Sequence, residues 1–117
     1  MTKAQALEQI EKELTTATRA REAGNEGMVR VCTRRAAGVA TAFWLERNSR
    51  QGWGVDAMNQ LKKLHLDESM PKEVRDAALR LTTKVNQQFT TPFSTDPVED
   101  SKIIVNHLLE IAWSSDE

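Results

Sequence analysis

Arg30, Arg34 and Arg35 are the residues in this chain with the most direct chemical promise. Arg30 and Arg34 are four apart and share one face of a helix. Arg35 is offset toward Val31. A guanidinium fork matches phosphate oxygens bidentately, so the trio reads as a candidate phosphate or nucleotide site. A solvated face with pairs such as Glu26–Arg30 at i, i+4 explains the same residues without a ligand. Arg19 and Arg21 lie close to a Gly24-Asn25 turn, and Arg47 and Arg50 lie at the far end of the second helix.

The other titratable residues offer less. His65 and His107 are the only histidines and Cys32 the only cysteine. No His-x-x-x-His and no cysteine set is present, so the pattern predicts neither a metal site nor a cofactor. Cys32 falls on an apolar stripe and reads as a small buried hydrophobe. Lys102 and His107 are the closest approach to a cation–histidine pair. Five residues apart on a helix, they project about 140° apart. Asp96, Glu99 and Asp100 read as acids grouped at a helix N-terminus. No Gly-rich phosphate loop and no nucleophile elbow occurs.

The elements that must position these residues are helices. Leu7, Ile10, Leu14 and Ala17 make one apolar stripe, predicting a helix over 2–23 with Thr2 as N-cap and Gly24 just past its end. Asn25 caps a second helix over 26–48, with Val29, Cys32, Ala36, Val39/Ala40 and Phe43 inward. Its waist is small: Ala36, Ala37, Gly38 and Ala40. A helical glycine costs about 1 kcal/mol relative to alanine, so Gly38 signals the close approach of another backbone. Ala37 and Gly38 are therefore interface candidates, within a hairpin or across a dimer. A third helix is predicted over 54–65 with Val55, Met58, Leu61 and Leu64 inward, a fourth over 71–88, and a fifth from Asp96 to Trp113 started by Asp96-Pro97. Trp53 and Trp113 read as partly exposed aromatic anchors for a partner, and Trp44 as core.

The whole is an all-α antiparallel bundle of four to five helices in one domain, 1–117, with 113–117 a frayed acidic tail. The net charge of −1 hides an asymmetry: residues 1–66 carry +4 and residues 67–117 carry −5. That split suits either a polyanion site or self-association of basic face on acidic face. No apolar run approaches the roughly 18 residues of a membrane span. A single cysteine and no secretory signal pattern fit the cytoplasm.

A long amphipathic helix, the turn within Ala17-Thr-Arg-Ala-Arg-Glu-Ala-Gly-Asn-Glu-Gly27, the helix containing Arg35-Ala-Ala-Gly-Val-Ala40, and the capped last helix from Asp96 to Ala112 together resemble the HEPN (higher eukaryote and prokaryote nucleotide-binding) domain. The resemblance implies a HEPN-like bundle working as a homodimer or beside a nucleotidyltransferase-type partner. Many members are metal-independent ribonucleases using Arg-x(4–6)-His. Here Lys102 stands in the arginine slot before His107, and lysine lacks the fork. Gly38 stands where the family's hairpin has glutamate. The sequence therefore favours a non-catalytic interaction module with a basic helix-two face as a nucleotide or RNA contact. The alternatives are a divergent ribonuclease using Lys102 and His107, and a helical nucleic-acid binder.

Overall fold

The computed structural model describes residues 1–84 and 96–112. Among the described residues five helices follow in order: α1 (Lys3–Glu22), α2 (Glu26–Leu45), α3 (Ala57–Leu66), α4 (Lys72–Thr82) and α5 (Pro97–Leu109). Among the described residues there is no strand, so the fold is all-α. Among the described residues no helix is long and apolar enough to cross a membrane.

The caps visible in the sequence form as physics requires. Thr2 and Gln5 make a reciprocal capping box at the start of α1. At its end Gly24 takes φ +74°, a conformation that glycine adopts without steric cost. The Gly24 and Asn25 amides then bond back to the Arg21 and Ala20 carbonyls, a Schellman closure. Asn25 caps α2 through the Met28 amide. The α1–α2 pair is an antiparallel hairpin, since the Met1 amine reaches Glu46, just past the end of α2, at 2.9 Å.

Several boundaries differ from the sequence expectation. Helix three starts at Ala57, capped by Asp56, because Gly54 at φ +67° still belongs to the loop. Val55 therefore precedes the helix and is 98% exposed, not inward. Trp53 is buried at 7% exposure, not partly exposed, and packs at a tilt against Trp44 with ring centroids 5.8 Å apart. Helix four ends at Thr82 rather than 88, with Thr83 extended. Residues 85–88 lie outside the described residues. Helix five ends at Leu109, where Glu110 turns left-handed at φ 55°. Trp113 and the acidic tail also lie outside the described residues.

The main core gathers Ile10 and Leu14 of α1, Ala36, Ala37 and Ala40 of α2, Leu61 and Leu64 of α3, Val74 and Leu81 of α4, and Ile104 and Leu108 of α5. A smaller cluster of Ala17, Ala20, Val29, Cys32 and Val98 closes the turn end. α2 contacts each of the other four helices. Its small waist makes that possible: a Cβ on Gly38 would sit 2.8 Å from the Ala57 Cβ. The close approach anticipated from Gly38 is thus filled inside the chain by the start of α3. The α3–α4 hairpin is stapled reciprocally, Arg75 Nε donating to the His65 carbonyl while His65 Nδ1 meets the Arg75 carbonyl.

Candidate functional site

The arginines of α2 divide between two sides of the helix. Arg30 is only 8% exposed and turns toward the end of α4. Its Nη2 donates to the carbonyls of Arg80 (3.1 Å), Leu81 (3.3 Å) and Thr83 (2.9 Å). Arg34, one turn on, donates from Nε to the same Leu81 carbonyl at 2.6 Å. The last carbonyls of a helix have no partner within it and carry the negative end of its dipole. Two cations from α2 supply what a C-terminal glycine supplies elsewhere. The predicted Glu26–Arg30 pair does not form.

This placement has an electrostatic consequence. Burial makes each guanidinium easier to deprotonate, and the charge of Arg34 adds to that effect on Arg30, against the pull of Asp100. Asp100 is 3% exposed and accepts from Arg80 Nε and Nη2 at 3.0 and 2.9 Å. It stands in the first turn of α5, as its grouping with Asp96 and Glu99 suggests, and is there a buried partner of Arg80. Asp96 does cap α5, through the Val98 amide, and also takes both Nη groups of Arg21. That contact raises the Arg21 pKa and ties the end of α1 to the start of α5.

Two open hollows flank the exposed edge of α2. The first, about 530 Å³, lies where α2 begins and α4 ends. Arg30, Arg34 and Lys84 line it together with Asn25, Met28 and Val31. The second, about 430 Å³, runs between α1, α2 and the start of α3. Its floor is Gly38, Val39, Ala42 and Ala57, with Val55 at its lip and Lys12, Glu13 and Arg35 around it. Arg35 is thus separated from Arg30 and Arg34. Ala37 is fully buried in the core, while Gly38 reaches the groove floor.

Lys102 and His107 do not meet in one hollow. His107 is exposed and lines a polar depression of about 590 Å³ with Lys3, Arg47, Asn48 and Asn106, and Lys102 is not among its residues. Cys32 is buried, and burial followed by the nearby Glu13 charge raises its thiol pKa against the effect of Arg35, leaving it inert. Among the described residues no three His, Cys, Asp or Glu side chains converge as a metal-binding group.

Lys84 and Val55 were missed from the sequence. Lys84 reads there as a residue in mid-helix, and Val55 as core. The chain matches no protein-family model, and no curated protein or solved structure is detectably similar to it.

Proposed function

We propose that the protein is a non-catalytic helical interaction module that self-associates through the groove beside α2. The carrying observation is Val55, an aliphatic side chain 98% exposed at the lip of an apolar-floored groove. Burying such a side chain is worth about 1.5 kcal/mol or more. The groove also carries both signs of charge. Arg35 is exposed, and among the described residues the buried Oε2 of Glu13 has no hydrogen-bond partner. A two-fold contact presents each surface to its own copy, so Arg35 of each protomer can meet Glu13 of the other.

Sedimentation equilibrium tests this. The expected result is a dimer that Val55→Asp and Arg35→Glu each weaken at least tenfold. The double swap Glu13→Arg with Arg35→Glu restores it. A strict monomer at the highest attainable concentration removes the reading.

The likeness to HEPN domains is a proposal on the same footing. It is supported by the glycine-turned α1–α2 hairpin, the small waist and the capped α5. Pairing with a nucleotidyltransferase-type partner is what that likeness implies.

One observation favours a second reading, the divergent ribonuclease. His107 shares its polar depression with Lys3 and Arg47, cations suited to phosphate charge. On this reading Arg47, not Lys102, accompanies the histidine. Incubation with mixed RNA then gives cleavage products that His107→Ala abolishes. Intact RNA, or cleavage unchanged by the substitution, ends it.

A further inference from the structure

We propose that the hollow between the start of α2 and the end of α4 binds a tetrahedral oxyanion, the phosphoryl group of a small ligand, through Arg34, Arg30 and Lys84. The inference is independent of self-association, which uses the opposite hollow. It narrows the basic face of α2 to one pocket and leaves Arg35 out of it.

Three cations line this pocket, and among the described residues none of them has a carboxylate within 4 Å. Carbonyl contacts offset partial charge but leave the net charge in place. Arg34 donates to Leu81 through Nε alone, and among the described residues its two Nη groups have no hydrogen-bond partner. Those two nitrogens are a free fork of the kind that takes two oxygens of one phosphoryl group. Arg30, in the same hollow, is more than nine-tenths buried, and its Nε has no partner among the described residues. Lys84 is exposed and has no side-chain bond among the described residues, which suits a point charge that follows a ligand. The first turn of α2, at Asn25 and Gly27, adds the positive end of a helix dipole on the same side.

The pocket also says something about the rest of the ligand. Met28 and Val31 are 39% and 37% exposed beside the cations. They offer an apolar wall to whatever carries the phosphoryl group. Inorganic phosphate alone would leave that wall in water.

Calorimetric titration of the intact protein with inorganic phosphate and with phenyl phosphate tests the assignment. Saturable one-to-one binding is expected, with phenyl phosphate about threefold to tenfold tighter because it covers Met28 and Val31. Equal affinities point to free phosphate as the source of the same chemistry. Lys84→Gln leaves the melting temperature unchanged and weakens phosphate several-fold. Arg34→Gln weakens it at least tenfold, and Arg35→Gln has no effect. Absence of saturable binding of either compound overturns the proposal. So does binding that Lys84→Gln and Arg34→Gln leave unchanged.

Discussion

Arg30→Ala lowers the free energy of unfolding by about 2–3 kcal/mol, measured by urea denaturation at neutral pH. The side chain is 8% exposed, and its Nη2 group serves three carbonyls at the end of α4. One nitrogen with two hydrogens cannot make three full bonds, so these are shared, and the loss is smaller than three separate bonds would give. After truncation the Leu81 carbonyl keeps Arg34 and the Arg80 carbonyl keeps the Thr83 amide, while the part-buried Thr83 carbonyl loses the donor described for it. Some of the cost is offset because a desolvated cation is removed as well. Arg34 holds the same Leu81 carbonyl, so Arg30→Ala and Arg34→Ala are expected to combine non-additively. Arg30→Lys recovers part of the loss, since an ammonium can donate to carbonyls but lacks the reach of the fork. A change below about 0.5 kcal/mol for Arg30→Ala would show that α4 is stopped by something else.

Gly38→Leu costs about 2–3 kcal/mol and shifts the melting temperature down by on the order of 10 °C. Even the first added carbon lies 2.8 Å from the Ala57 Cβ, closer than two carbons can sit. The isobutyl group must therefore push the start of α3 off α2. Gly38→Ala is the informative comparison. Alanine recovers about 1 kcal/mol of helix propensity and meets the same contact, so it is near neutral if Ala57 can shift slightly. Equal effects from alanine and leucine would refute the steric explanation.

These two positions also mark how far the sequence could be read. The helix starts and stops with their own local chemistry were legible: Thr2, Gly24, Asn25 and Asp96 all act where their residue types suggest. The sequence carries the fourth helix past Thr82 because nothing between Thr82 and Gln88 breaks a helix locally, whereas α4 ends at Thr82. Its end is set by arginines about fifty residues earlier in the chain, and periodicity carries no trace of such a contact. The same arginines were legible as a cationic cluster. Their carbonyl partners were not, nor was Lys84, whose helical register disappears with the shortened α4. Gly38 announced a close approach correctly, but a single sequence does not say which backbone arrives. Val55 looked like core because it keeps an i, i+3 spacing with Met58. The positive φ of Gly54 delays the helix by a few residues and leaves that side chain in water.

The central place of α2 bears on how the bundle breathes. α2 is held by all four neighbours, whereas α3 is packed only against α2 and α4. Helices with few attachments open sub-globally at lower free energy than the global transition, while surrounded ones exchange their amides only when the whole globule opens. Among the described residues α1 also has only two neighbours, α2 and α5, but at ten residues α3 is half the length of α1 and is the element most able to lift away while the rest of the fold persists. Ala57 and Val55, at its leading edge, also form part of the groove beside α2. A second chain seated in that groove would clamp the loosest hinge of the molecule, and assembly would be felt first as slower amide exchange in α3.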